Sequence, residues 1–450
     1  MIFQRKIYEK MLEWKSSFRG ESALLIEGAR RVGKSTVAEA FAQNEYQEYL
    51  VLDFARESAE VKRNFEENMG DLDNFFRNLF LLKGKELPRG ASLIIFDEVQ
   101  MFPLARQAIK YLVQDGRYDY IETGSLISIR KNVKDILIPS EEYRLRMYPM
   151  DFEEFLWAQG DTVTGQAIRE AYKNQKPLGD GIHRKIMQRF RTYMAVGGMP
   201  QAVEAFVAGK SYREIDLVKR NILRLYEEDL RKSDAETGGR TSAVFRAIPE
   251  QLSNHRAHFK YAVIEKGARF YQYMESIDFI AESMMGNACL SVTEPAVSLE
   301  LFTDRSNFKL FLGDTGLLVT QIMQNRAETD DDLYKSIIFD KLGTNQGMVM
   351  ENLVAQMLKC KGYDLYFHTF KYRPAGAERE KNYEVDFLLV RGRRICPVEV
   401  KSSGYTNHKS FDYFLEKYPI KVNQRVIIYT KDLKKEGDIL FVPLYMTMCL

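Results

Sequence analysis

Cysteine is scarce in this chain. Its 450 residues include only Cys289, Cys360, Cys396 and Cys449, with no C-x-x-C spacing among them. A disulfide framework is therefore excluded, and each cysteine reads as a small apolar residue in a reducing compartment. The five histidines do not complete a zinc pattern. Long hydrophobic runs are missing too. The longest obvious ones, such as Leu93-Ile94-Ile95-Phe96, are strand-sized and fall far short of the ~18 residues of a membrane span. Met1 to Tyr8 lacks the apolar core of a signal peptide, so a cytoplasmic protein without membrane contact is expected. An excess of either charge is also lacking. Sixty-five basic against 63 acidic residues leave +2, so any basic face must be local. No repeat, low-complexity tract or Pro/Gly/Ser linker stands out, which implies short connections between domains. What remains is 45% hydrophobic and 28% charged, a globular composition with length for about three domains.

The strongest signal is Gly28-Ala29-Arg30-Arg31-Val32-Gly33-Lys34-Ser35, a G-x-x-x-x-G-K-[ST] phosphate-binding loop. A strand-like run, Ala23 to Ile26, enters it, and a helical pattern from Thr36 to Phe41 leaves it. Its glycines let main-chain N–H groups converge on phosphate oxygens, and the helix points its positive end at them. Gly28, Arg31, Val32, Gly33, Lys34, Ser35 and Thr36 are the expected ATP contacts. Lys34 would reach the β- and γ-phosphates, and Ser35 would place its hydroxyl on Mg²⁺. Four apolar residues then lead to Asp97-Glu98. Asp97 is expected to hold the Mg²⁺, and Glu98 to orient and deprotonate the attacking water. Thr123-Gly124-Ser125 ends the next strand, where Ser125 is expected to touch the γ-phosphate or the water. Arg30, Arg31, Arg130, Arg144 and Arg269 are all conceivable partners for transition-state charge, and the sequence does not choose among them. Strands alternating with helices imply a mostly parallel α/β sheet.

Three further pieces stand in the last third. Glu351 lies in a helical pattern, Asp386 in the strand Tyr383 to Val390, and Glu399-Val400-Lys401 ends the following strand. Alternate strand residues share a face, so Glu399 and Lys401 project together and Asp386 on the paired strand can join them. This is the order of the PD-(D/E)xK nuclease superfamily. Asp386 and Glu399 would hold Mg²⁺ with Glu351 as an outer ligand, and Lys401 would orient the nucleophile or counter phosphate charge. Lys371, Arg373, Arg379, Lys381, Arg391, Arg393 and Arg394 are expected around the constellation, where they suit phosphate contact without a base code.

The loop, Asp97-Glu98-Val99-Gln100, Thr123-Gly124-Ser125 and Tyr148 to Phe155 together resemble a large set of bacterial and archaeal AAA-type ATPases that end in a domain of uncharacterised function. Tyr193…Gly197-Gly198-Met199-Pro200, Asp314 to Leu318, Gly347 to Asn352 and Val398 to Lys401 extend the resemblance over nearly the whole chain. It implies a P-loop sheet of the additional-strand type with order 5-1-4-3-2. Where family members often carry a Gly-Arg pair before the last strand, this chain has Glu141-Glu142-Tyr143-Arg144.

The expected organisation is an ATPase core at 1–150 and a helical lid at 151–232. A winged-helix-like module at 233–330 and a restriction-endonuclease-like α/β domain at 345–450 follow. In the third segment, helices over Pro249–Leu252, Tyr261–Ala268 and Tyr271–Ser283 precede strands at Cys289–Thr293 and Phe308–Leu312. The helix from Tyr261 carries few basic residues, which favours docking of a protein partner over reading of DNA. The functional expectation is an ATP-hydrolysing protein coupled to nucleic acid through a Mg²⁺-dependent nuclease-like domain. The alternative is an ATP-controlled switch or docking protein that does not cleave. Lys34→Ala is expected to weaken binding of a non-hydrolysable ATP analogue by about tenfold or more, read by isothermal titration.

Overall fold

The computed structural model describes residues 2–125, 137–253, 259–323, 334, 346–405, 408–418, 420, 422 and 424–450. They form two compact units, Met1–Tyr148 with Glu282–Met284, and Pro149–Ala281 with Met285–Leu450. Among the described residues, no helix is long and apolar enough to cross a membrane.

The first unit is a five-stranded parallel sheet. Its strands are β1 (Ala23–Gly28), β2 (Glu48–Asp53), β3 (Ser92–Asp97), β4 (Asp119–Gly124) and β5 (Glu142–Met147). They lie in the order β2-β3-β4-β1-β5, which is the order implied by the family resemblance. Helices α1 (Ile7–Ser17), α2 (Lys34–Glu45), α3 (Ala59–Asn68), α4 (Leu72–Lys83) and α5 (Pro103–Asp115) accompany it. Local signals place their ends. Asp71 caps α4 by accepting the Asn74 N–H, and Gly84 ends it in the left-handed region. Pro103 opens α5, where its missing N–H costs nothing. Leu93 to Phe96 are buried, as a strand covered on both faces requires. Phe54, Phe65, Phe75 and Phe96 meet mostly edge to face with ring centroids 4.8–5.7 Å apart, and they anchor the α3–α5 side of the core.

The second unit opens with helices. Asp151 starts Phe152–Ala158 with a reciprocal capping box, and Pro200 opens Pro200–Val207. Two sheets follow. β6 (Gly286–Val292), β7 (Thr303–Leu312), β8 (Leu365–Tyr372) and β9 (Lys381–Val385) pair in the order β7-β6-β8-β9. β10 (Phe387–Arg391), β11 (Arg394–Val400), β12 (Arg425–Tyr429), β13 (Lys434–Glu436) and β14 (Ile439–Pro443) pair in the order β10-β11-β12-β14-β13. The helix Gln346–Cys360 leads into β8.

Two details of the segment expected to be a winged helix differ from that expectation. Tyr261–Val263 is one 3₁₀ turn, and Gly267 at φ +83° breaks the backbone where a helix to Ala268 was expected. β6 and β7 are not a free wing, because Cys289 to Ser291 pair in parallel with Leu365 to Phe367. Middle and terminal segments therefore share one sheet. The division expected between 232 and 233 falls inside a single helix, Tyr212–Thr237, begun by a capping box at Ser211.

The Gly-Gly turn and the Asp314 segment lock together. Asp314, buried, accepts the Gly198 N–H at 2.6 Å and the Leu317 N–H at 2.9 Å, so it caps the helix Thr315–Ile322 while fixing the turn. A Cβ on Gly316 would lie against Val196 O and 2.5 Å from Gly197 Cα. Both partners are backbone and cannot swing aside. Gly316→Ala is expected to destabilise the second unit by about 2–4 kcal/mol, read as a lower denaturant midpoint at unchanged slope.

Candidate functional sites: a phosphate loop and an acidic pocket

The loop after β1 holds the phosphate-site residues in their expected order. Arg31 (φ +70°) and Gly33 (φ +99°) both take left-handed backbone, and α2 starts at Lys34. A Cβ on Gly28 would run into the Met147 carbonyl on neighbouring β5, so only glycine fits there. Val32 is buried, while Arg31 and Thr36 are exposed at the rim. Lys34 is 6% exposed, and its ammonium donates to Gly28 O at 3.0 Å and Ala29 O at 3.1 Å. Burial pushes its pKa down, and the nearby Glu98 and Asp97 carboxylates oppose that shift. A buried cation held by its own loop's carbonyls suits an anionic ligand.

The strand ends deliver the acidic half. Asp97 closes β3, and its Oδ1 accepts hydrogen bonds from Ser35 Oγ at 2.7 Å and from Thr123 Oγ1. The Glu98 N–H donates to Thr123 Oγ1 at 3.3 Å. Glu98 itself takes left-handed backbone (φ +52°), and the Gln100 side-chain amide donates to its carboxylate. Ser35 and Asp97 thus form a hydroxyl–carboxylate pair suited to a divalent cation, with Glu98 beside it.

Within the tripeptide that offered Ser125, Thr123 near the end of β4 is tied to Asp97. Arg5 was missed entirely. Its guanidinium donates to Val32 O at 2.9 Å and Tyr148 O at 2.7 Å, and so fastens the loop to the chain beyond β5. No sequence signal marks an arginine for that task. Of the arginines considered for transition-state charge, Arg144 is ion-paired to Glu142 at 2.9 Å. Arg130 lies outside the described residues.

In the second unit a cavity of about 260 Å³ is lined by Lys309, Glu351, Glu384, Asp386, Lys401 and Ser402, among others. Asp386 lies between β9 and β10, where the chain passes from one sheet to the other. Phe387 pairs with Val398, so Val400 continues past the last β10 partner. The Asp386 carboxylate accepts its N–H at 2.8 Å instead. Glu399 and Lys401 share a face and form an ion pair of 2.9 Å, with Glu399 2% exposed. Burial and then Glu351 push the Asp386 pKa well up, and burial also raises that of Glu399.

Glu384 and Lys309 were not foreseen. Carboxylate oxygens of Glu351, Glu384 and Asp386 lie within 4.8 Å of one another. Lys309 Nζ sits 2.6 Å from Glu351 Oε1 and 2.6 Å from Glu384 Oε1. Glu384 was legible in principle, since it lies two residues before Asp386. Lys309, 77 positions away on β7, was not.

Four of the seven basic residues expected around this pocket lie toward the far ends of their strands from Asp386. Arg391, Arg393 and Arg394 sit at the turn end of the β10–β11 hairpin. At about 3.3 Å per residue the turn is some 15 Å from Asp386. The Arg391 guanidinium donates to the Tyr172 hydroxyl at 3.3 Å. Lys381 likewise begins β9, at the end away from Asp386.

Residues 20–156 match the family model of an AAA domain. Residues 187–328 and 346–446 match two models described as domains of unknown function, DUF8612 and DUF4143. No curated protein matches the chain. Among solved structures, C. elegans PCH-2 aligns at 14% identity and TM-score 0.25, over 44% of this chain and 56% of that one. Pif1 helicase from Candida albicans aligns at 13% and 0.21, over 40% and 49%. Drosophila ORC bound to DNA aligns at 13% and 0.26, over 75% and 87%. The alignments thus span about half the length of the first two. The first unit, with its phosphate loop and sheet order, holds most of the residues that match an AAA domain.

Asp386→Asn removes a buried carboxylate whose raised pKa means the folded chain holds its proton to higher pH than the unfolded chain. Such a group loses stability as pH rises through that window. In chelator at pH 8, Asp386→Asn is expected to melt about 2 °C above the parent, with the gain fading toward pH 4.

Proposed function

We propose that this chain hydrolyses ATP in its first unit and acts on nucleic acid through a Mg²⁺-dependent nuclease-like pocket in its second. The observation that carries the first half is the hydrogen-bonded set Ser35–Asp97–Thr123 beside Lys34, with Glu98 next in the chain. Gly28, Gly33 and the start of α2 cradle the phosphates, and Lys34 exchanges its loop carbonyls for phosphate oxygens. Ser35 and Asp97 would hold Mg²⁺, which when bound neutralises phosphate charge. Glu98 takes the proton of the attacking water, and Gln100 holds its carboxylate in place.

Asp386, Glu399 and Lys401 support the second half. Asp386 and Glu399 would hold the cation that activates water there, with Glu351 as an outer carboxylate, and Lys401 orients the nucleophile or counters phosphate charge. DNA is the substrate proposed. Of the pocket's lining, Lys401 and Ser402 suit contact with a phosphate backbone.

The test is the purified chain with ATP, Mg²⁺ or Mn²⁺, and plasmid or single-stranded DNA, assayed together for turnover and cleavage. Glu98→Gln is expected to keep ATP affinity and slow hydrolysis ~100-fold. Asp386→Ala and Lys401→Ala are each expected to abolish metal-dependent nicking and leave ATP turnover intact. Turnover without cleavage under any metal establishes the nucleotide-controlled switch instead.

A further inference from the structure

Lys309 is the least expected feature of the acidic pocket. It sits on β7, while Glu384 sits on β9, and these are the two outer strands of one four-stranded sheet. The Lys309 ammonium passes over the Phe367 ring on the intervening β8, 5.3 Å from its centroid, before meeting both glutamates. It is 8% exposed. A lysine buried to this degree needs oxygen atoms at fixed positions in place of its lost hydration. Here they belong to two carboxylates at 2.6 Å.

The charge balance of the pocket is informative. Glu351, Glu384, Asp386 and Glu399 face two ammonium groups, Lys309 and Lys401. Lys309 engages two of these four carboxylates directly and Lys401 a third, which leaves Asp386 without an ammonium partner at ion-pair distance. Without Lys309 the three clustered carboxylates would have room and charge for a second ion, as in sites that hold two metals about 4 Å apart.

We propose that Lys309 is a tethered counter-cation that occupies Glu351 and Glu384 and so limits this pocket to one divalent cation, held on the Asp386–Glu399 side. The inference rests on reading the pocket as a cation site. Lys309 is a positioning residue within it: it sets how many ions bind and which carboxylates they find. The Glu351 carboxylate then reaches the ion only by giving up Lys309, which assigns it no direct ligand role in the resting pocket.

The experiment is Mn²⁺ titration of the full chain by calorimetry, without nucleotide. Asp386→Asn identifies which equivalents belong to this pocket. The parent is expected to bind one. Lys309→Met is expected to bind that equivalent at least tenfold more tightly or to take up a second. Because a buried charge imbalance could unfold Lys309→Met, the double variant Lys309→Met/Glu384→Gln restores the parent's net charge while freeing Glu351. It is expected to bind one Mn²⁺ at least tenfold more tightly than the parent. Affinity and stoichiometry within twofold of the parent, in whichever variant folds, overturn the proposal. If the parent takes up no Mn²⁺ in the pocket and the lysine variants do, the resident-metal reading falls while the role of Lys309 stands. If neither binds, both fall.

Discussion

Burial of an ammonium group is the constraint that organises this molecule. Removing a lysine from water costs several kcal/mol unless oxygen atoms replace its hydration shell at fixed positions. Each unit solves that problem at a place where chemistry is expected. Lys34 rests on the carbonyls of its own loop, a neutral and weaker substitute that a phosphate can improve on. Lys309 rests on two carboxylates, a charged and stronger one. Lys219 is a third case with a structural role. It donates to Ala195 O, Gly316 O and the Tyr334 hydroxyl, and burial pushes it down to about 8.

The two candidate sites are built by different means. In the first unit a parallel sheet brings separate strand ends side by side, so residues far apart in sequence arrive at one edge without special turns. Asp97 and Thr123 meet because β3 and β4 are neighbours in register. In the second unit the site forms where the chain leaves one sheet for another. Asp386 interrupts the run of strand, and its carboxylate takes over a hydrogen bond that the ladder no longer supplies. The pocket is therefore tied to the junction between the sheets.

The parts legible in the sequence were those with local causes. The phosphate loop was legible because its glycines and lysine lie within eight residues, and because left-handed backbone at Gly33 is written in the residue itself. The pairing of Glu399 with Lys401 followed from strand alternation. The failures share the opposite character. The expected helix from Tyr261 to Ala268 had apolar spacing but was cut by Gly267, and the sheet pairing of β6 with β8 reassigned the hairpin beside it. Arg391, Arg393 and Arg394 were expected beside Asp386 in space, although a hairpin carries its turn away from its open end.

The sequence by itself determined the phosphate loop, the alternation that makes the first unit α/β, and the acidic strand ends, because each depends on spacing within one element. Tertiary structure alone decided that Arg5 clamps the loop, that Thr123 meets Asp97, and that Lys309 enters the acidic pocket. Those contacts join residues separated by tens of positions. They exist only once sheet order and register have brought distant strands together, and no periodicity in the chain encodes that pairing.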